Sequence, residues 1–316
     1  MTLSDADEAL RQAEEILRAV TGDRVRTGFS LAPLTTFRIG GPAALYLELE
    51  STQDLEAAAK AVSETCIAWT VIGKGSNILI SDHGFHGLVI RLGKGFRWTG
   101  RDGSMLSAGG AMPVPALAGV AATHLLSGLE FGVAIPASLG GSVRMNAGAY
   151  GHAIGDVVAQ VQVFSMKDAT TAHVSREDAG FVYRNSDLGA HAVVVGATLS
   201  LGVGEAESIR ELMNEAREWR RATQPLAEPN CGSVFKNPPN QHAAKLVEEA
   251  GAKGLAVGRA RVSAKHANFI VADPGATAAD VVALIQMVTD RVRDRSGIEL
   301  EREVRFVGDI ETQARR

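Results

Sequence analysis

Cysteine is scarce in this 316-residue chain: there are two, Cys66 and Cys231, far apart and in no Cys-x-x-Cys arrangement. That excludes a disulfide framework and a zinc site of the usual ligand spacing, and it fits a reducing compartment. Positive charge is not in surplus either. Lys plus Arg number 32 against 36 Asp plus Glu, a net charge of −4, so no basic field is available for a polyanion and bulk nucleic-acid binding is excluded. No run of about 18 apolar residues occurs, and the N-terminus lacks the basic start and apolar block of a secretory signal. A soluble, cytoplasmic protein without membrane insertion is expected. Internal repeats, low-complexity tracts and charge blocks are also absent.

What the chain does have is length and glycine. At roughly 150 residues per domain, about two domains are expected, large enough to bury real cores. The 34 glycines are about 11% of the residues, above the usual figure of about 7%. The N-terminal stretch reads as an amphipathic helix with Leu10, Ala13, Ile16, Leu17 and Val20 on one face. Residues 43–125 mix short β-type runs (AALYLEL, WTVIG, NILIS, GLVIRL, MLSAGG) with one helical stretch near Leu55 to Val62. From Leu126 to Gly155 glycine density peaks around Pro136 and apolar residues, the texture of a buried loop rather than a linker. Strands return at 158–165 and 191–202, followed by a helix carrying Ile209, Leu212, Met213, Ala216 and Trp219 in register. Composition shifts near Gly204, after which helix and strand alternate to the end of the chain, the pattern of a separate, smaller α/β domain.

Five segments carry groups able to do chemistry. The turn Gly73-Lys74-Gly75-Ser76-Asn77 follows an apolar strand, and its backbone N–H groups with two side-chain donors could cradle a phosphate or close a tight β-turn. It is no Rossmann fingerprint, because the third glycine is missing and a strand follows; nor does any GxxxxGK[ST] occur. The run IPASLGGS at 135–142, continuing through MNAGAYG at 145–151, has the small residues that let a chain lie flat against a planar or diphosphate ligand. Tyr183-Arg184-Asn185-Ser186-Asp187 offers a planar guanidinium fork for a carboxylate or phosphate. Ser233, in CGSVFKNP, has no nucleophile elbow and no local base, which disfavours a hydrolase nucleophile; its hydroxyl could instead donate a proton. In GIELEREVRF, period two sets Ile298, Leu300, Val304 and Phe306 against Glu299, Glu301 and Glu303, and spacing does not choose among the glutamates.

Together with TFRIGGP at 36–42 and AAKLVEEAG at 243–251, these motifs resemble, in order, the UDP-N-acetylenolpyruvoylglucosamine reductase family of flavoenzymes in peptidoglycan precursor synthesis. The resemblance spans about residues 30–308 and leaves the N-terminal helix outside. After a helical extension at 1–30, it implies an α+β fold: an FAD-binding domain of the vanillyl-alcohol-oxidase or PCMH type at 31–203, built of two α+β subdomains, and a substrate domain at 204–316. It also implies FAD and NADPH as cofactors and a nucleotide sugar as small-molecule partner. Gly73, Lys74, Gly75, Ser76 and Asn77 would hold the FAD pyrophosphate, and Ser138, Gly140, Gly141, Asn146 and Ala149 would lie along the cofactor. NADPH would give a hydride to the flavin and the flavin would pass it to C3 of the enolpyruvyl group; Ser233 would protonate C2, with Arg184 on the substrate carboxylate. Glu303 matches the family's second glutamate, which selects it over Glu299 and Glu301. Two positions depart from the family pattern: Ala137 replaces the usual glycine of Ile-Pro-Gly, and Arg302 replaces the proline before Glu303. The 49 positions between Arg184 and Ser233 resemble the class without an extra tyrosine-bearing loop, so Tyr183, Asn237 and His266 are the candidates for holding the substrate. A monomer or weak homo-oligomer is expected. An FAD oxidase of the same fold and a non-catalytic nucleotide-sugar-binding module are the alternatives; a colourless protein would favour the second.

Overall fold

A computed structural model of the protein describes residues 3–310. The first two residues of the expected extension (1–30) and the last six of the expected C-terminal segment (204–316) lie outside the described residues. The chain forms two compact units. Unit 1 takes the chain up to Thr27, Leu45–Lys74 and Gly87–Arg220; unit 2 takes Gly28–Ala44, Gly75–His86 and the chain from Arg221. Both are interrupted in sequence, whereas the composition predicts contiguous segments meeting near residue 204. Burial gives the reason. Phe37, Ile39 and Leu79 are buried in one cluster with Val234, Val247 and Val288, so two early segments share the core of the late one. Conversely, the helix following Gly204 buries Ile209, Met213 and Ala216 in a cluster of unit 1.

In unit 1, helix α1 (Leu3–Thr21) packs along α2 (Thr52–Thr65). Ala13 and Leu17 are fully buried; Leu10 and Ile16 are half-buried, and Val20, assigned to the same face by periodicity, is 53% exposed because only a narrow stripe of α1 meets α2. A five-stranded antiparallel sheet orders Thr170–Ser175, Val158–Ser165, Ala192–Ser200, Met105–Gly109 and Thr99–Asp102. Its apolar face is covered by α3 (Val114–Thr123) and α4 (Leu139–Arg144), with α5 (Ala206–Thr223) completing the cluster. Leu212 and Trp219 of α5 are exposed, so the buried stripe is narrower than the periodicity suggests. Within the same unit, the stretches 45–49 and 87–92 and the strand Trp69–Val71 follow one another in a second sheet, with Trp69 parallel to Leu88. The glycine-rich stretch read as a loop holds a 3-10 turn at Glu130–Ala134, the short α4 and a small hairpin, Gly148–Ala149 with His152–Ala153.

In unit 2 the alternation of helix and strand expected late in the chain is present, in an antiparallel sheet ordered Asn230–Ser233, Phe269–Ala272, Ala260–Val262, Ala256–Val257. Helices α6 (Ala243–Glu249) and α7 (Ala278–Ser296) bury their apolar stripes in its core. Thr277 and Asp280 cap the start of α7 reciprocally, and Gly297, at φ +71°, ends it in the left-handed conformation that glycine adopts most cheaply. Of the long strand expected at 298–306, only Arg305–Val307 forms a ladder, parallel to Ile78–Ile80.

One ion pair ties the start of unit 1 together. Arg24 donates to both oxygens of the buried Asp54 at 2.6 and 2.7 Å, while Asp54 also accepts from the N–H groups of Glu50 and Ser51 at the cap of α2. Burial alone would push this carboxyl up, but the Arg24 bonds and the two N–H donors outweigh it and hold the group below its ordinary value of 3.8. Asp54→Ala is expected to cost about 2–3 kcal/mol, less than a wholly buried pair because Arg24 is 42% exposed. A carboxyl depressed on folding contributes its full share above pH 3.8 and loses it as the pH falls through the folded value. Urea midpoints of the two proteins should therefore differ at neutral pH and converge in acid.

Candidate active site and cofactor cradle

The chain reaches the first glycine motif from the strand Trp69–Val71, and the unit boundary falls inside it: Gly73 and Lys74 belong to unit 1, Gly75, Ser76 and Asn77 to unit 2. In unit 1, a Cβ on Gly73 would stand 2.5 Å from Ser138 Oγ, and one on Gly141 would stand 3.4 Å from the same oxygen. Two bare backbones and one buried hydroxyl thus face a shared space that a side chain at position 73 would fill. Burial lowers the pKa of Lys74, and repulsion by Arg97 and Arg91 lowers it further, so a positive field stands next to that space. Gly140 serves packing instead. Its N–H donates to Gly110 O at 2.8 Å, and a Cβ there would lie 2.8 Å from Val194 O, so its bareness lets α4 sit down on the sheet.

Asn146, expected beside the cofactor, has both ends of its amide engaged. Oδ1 accepts from Gly155 N at 2.9 Å and Nδ2 donates to Val182 O at 2.8 Å, which binds the loop after α4 to the loop carrying Arg184. Ser186 Oγ reinforces the link by donating to Arg144 O at 2.8 Å. Ala149 lies in the small hairpin, paired with His152. Val182 and Asn185 exchange two backbone hydrogen bonds, so Tyr183 and Arg184 occupy a tight turn. Arg184 has φ +57°, a conformation uncommon for a long side chain, and this directs its guanidinium at Gly148 O, 3.2 Å away. Tyr183 is exposed and its ring lies 5.2 Å from the Arg184 Cζ. Arg184 and the stretch Gly148–Ala149 therefore form one assembly within unit 1.

Unit 2 gathers Ser233, Glu303 and the rest of the first motif. Gly75, at φ +64°, is pressed against the 34–36 segment: a Cβ would sit 2.1 Å from Leu34 O, and Thr36 donates to Gly75 O from both N–H and Oγ1, at 3.0 and 3.2 Å. Ser76 O lies 3.7 Å from the position of a Cβ on Gly232. Ser233 closes the strand Asn230–Ser233 and is half-buried. The next residue's carbonyl, Val234 O, accepts from Glu303 N at 2.8 Å and from Val304 N at 3.3 Å, which fixes Glu303 beside the serine strand. The thiol of Cys231, two residues before Ser233, is pushed up by its burial and further by the Glu303 charge. Of the three glutamates, Glu301 pairs with Lys236 at 2.5 Å on the surface.

Asn237 and His266 have internal roles in the same unit. Asn237 Oδ1 accepts from Ala243 N at 2.9 Å, capping α6. His266 Nδ1 accepts from Asn268 N at 3.2 Å and its ring meets Phe269 edge-on at 4.7 Å; burial, with repulsion from Lys253, lowers its pKa. Asn268 itself was invisible to motif reading. Its buried amide accepts from Phe235 N and donates to Phe235 O, at 2.9 and 2.8 Å, while its carbonyl accepts from Val234 N, so it clamps the backbone just beyond Ser233. A single asparagine inside the apolar run HANFIVA was the available signal.

Bare backbone, a hydroxyl and clustered cations in unit 1 suit the diphosphate of a flavin dinucleotide, and a serine held next to a glutamate in unit 2 suits proton delivery. Those features define a flavin-dependent oxidoreductase. Residues 43–175 match the FAD binding domain family, and residues 224–307 match the UDP-N-acetylenolpyruvoylglucosamine reductase C-terminal domain. Over 95% of its length the chain is similar, at 40% identity, to 100% of the UDP-N-acetylenolpyruvoylglucosamine reductase of Halalkalibacterium halodurans. The enzyme of that name from Heliobacterium modesticaldum is 46% identical over 87% of this chain and 88% of its own length. The crystal structure of the Thermus caldophilus reductase superposes with a TM-score of 0.77 at 34% identity, covering 90% of this chain and 98% of that one. The chain belongs to the UDP-N-acetylenolpyruvoylglucosamine reductase family, whose cofactors are FAD and NADPH.

The cradle yields a direct test. Gly73→Ala places a methyl group 2.5 Å from Ser138 Oγ, so the variant should purify with most of its flavin missing, read as the ratio of flavin to protein absorbance. Unchanged flavin in Gly73→Ala would remove this turn from the cofactor site.

Proposed function

We propose that this protein reduces UDP-N-acetylglucosamine enolpyruvate to UDP-N-acetylmuramate at the expense of NADPH, in the cytoplasm, as a step of peptidoglycan precursor synthesis. Bound FAD supplies the hydride-transfer chemistry that no side chain has. Gly73, Lys74 and Ser138 hold its diphosphate, and the 182–185 turn offers Arg184 to the substrate carboxylate. A guanidinium on that carboxylate favours the enolate-like charge that develops when C3 is reduced. C2 then needs a proton, and Ser233 donates it. A serine hydroxyl is a weak acid in water, so its usefulness depends on being held in line with the carbanion and on a second proton-carrying group nearby. Glu303 is that group.

The observation that carries this reading is the pair of hydrogen bonds from the Glu303 and Val304 N–H groups to Val234 O, which set a carboxyl-bearing residue one peptide away from Ser233. Nothing in an oxidase or a passive binding module calls for a serine and a glutamate fixed in this way. Tyr183, exposed beside Arg184, is assigned to the nucleotide sugar, whereas Asn237 and His266 act by bracing the loops at the start of α6 and before the strand Phe269–Ala272.

Anaerobic stopped-flow following flavin absorbance separates the two half-reactions. Ser233→Ala should leave reduction by NADPH within about twofold of wild type and slow reoxidation by the enolpyruvyl substrate by about 10²–10⁴-fold, the usual worth of a positioned general acid. Equal loss of both halves would contradict the assignment. Arg184→Lys keeps the charge but loses the planar fork, and should lower kcat/KM about 10–100-fold; near-normal turnover would remove Arg184 from the site.

A further inference from the structure

Asn77 ends the glycine motif, where the sequence gives it to the cofactor, yet its hydrogen bonds point elsewhere. Nδ2 donates to Glu303 O at 3.2 Å, across 226 positions of sequence, and Asn77 O accepts from Arg305 N at 3.1 Å. These bonds extend the parallel ladder in which Ile78 faces Arg305, but a ladder end needs only the main-chain bond; the side-chain bond is additional. Its consequence falls on one residue. Glu303 N donates to Val234 O and Glu303 O accepts from Asn77, so the backbone of the glutamate is held on both sides, one bond from the serine strand and the other from the phosphate turn.

We propose that Asn77 is a positioning residue for Glu303: its amide fixes the peptide that sets where the carboxyl points, and it acts on the proton-delivery half of the reaction rather than on flavin binding. This rests on the assignment of Glu303 to proton delivery. Orientation of a reacting group by a residue behind it is worth about 10–100-fold where comparable support has been removed at metal sites.

The holoenzyme tests it with Asn77→Ala, Asn77→Asp, Glu303→Gln and the double variant Asn77→Ala/Glu303→Gln. Asn77→Asp is isosteric and keeps the main-chain bond, so it reports even where Asn77→Ala fails to fold. Flavin content and the rate of reduction by NADPH should stay within about twofold of wild type. Reoxidation by the enolpyruvyl substrate should slow about 10–100-fold, with the pH profile of that step displaced. In the double variant the Asn77 effect should vanish, since a residue acting through Glu303 has nothing left to position. Loss of flavin, or equal slowing of both half-reactions, would make Asn77 a cofactor contact and overturn the proposal. So would effects of Asn77→Ala and Glu303→Gln that simply multiply. If Glu303→Gln alone leaves reoxidation untouched, the role given to Glu303 fails and this proposal with it; a slow Glu303→Gln enzyme beside a normal Asn77→Asp enzyme would sink only the positioning role.

Discussion

Hydrogen bonds between main chains remote in sequence govern where Ser233 and Glu303 of unit 2 stand. Val234 O takes two N–H groups from 303–304, Gly75 O takes Thr36, and Thr36 O takes Asn230 N at 3.2 Å. Buried peptide groups must find partners, and a glycine with no side chain lets two backbones approach closely enough to supply them. At Gly75 that approach leaves no room for a Cβ, so the turn, the 34–36 segment and the start of the serine strand form one rigid junction. The serine and the glutamate inherit their positions from peptide geometry, which varies far less than side-chain rotamers.

Unit 1 achieves rigidity differently. There the contacts come from amide and hydroxyl side chains: Asn146 and Ser186 staple two loops together, and the strained φ of Arg184 is sustained because Val182 and Asn185 close the turn around it. The glycines of that unit create close contacts between elements, as at Gly140 on the sheet and Gly73 before Ser138. A preorganised backbone of this kind has little to rearrange when a charged ligand arrives.

Much of this was legible in the sequence because apolar periodicity reports burial directly. Helix α7 buries residues at the helical period its sequence carried, while the strand runs at 43–49, 87–92, 158–165 and 192–200 stood out as short apolar stretches, largely buried on consecutive residues rather than alternately. Periodicity fails where a few contacts decide. The α3 stretch, VPALAGVAAT, is apolar nearly all round and offers no stripe, and 298–304 alternates like a strand but lies mostly outside any ladder because Phe235 pairs only with Arg302. At the site, residue types announced themselves while their duties did not. Asn146, Asn237 and His266 are polar groups in glycine-rich or apolar surroundings, a signature shared by ligand contacts and by internal braces, and the bracing bonds they make show only in the distances. Asn268 shows the converse: a brace of the serine strand with no motif around it.

The interrupted make-up of unit 2 has a consequence for how the protein is made. Its core needs Phe37, Ile39 and Leu79, which leave the ribosome early, and Val281, Leu284 and Val304, which leave it much later. Closing loops of that length carries an entropic cost that is recovered only when the final strand arrives. The early segments must therefore wait, with their apolar side chains unpartnered, until residues 281–304 have been made, while most of unit 1 can already have assembled. Nascent chains are most open to chaperones and to aggregation during that interval, and a C-terminal fragment expressed alone would lack part of its own interior.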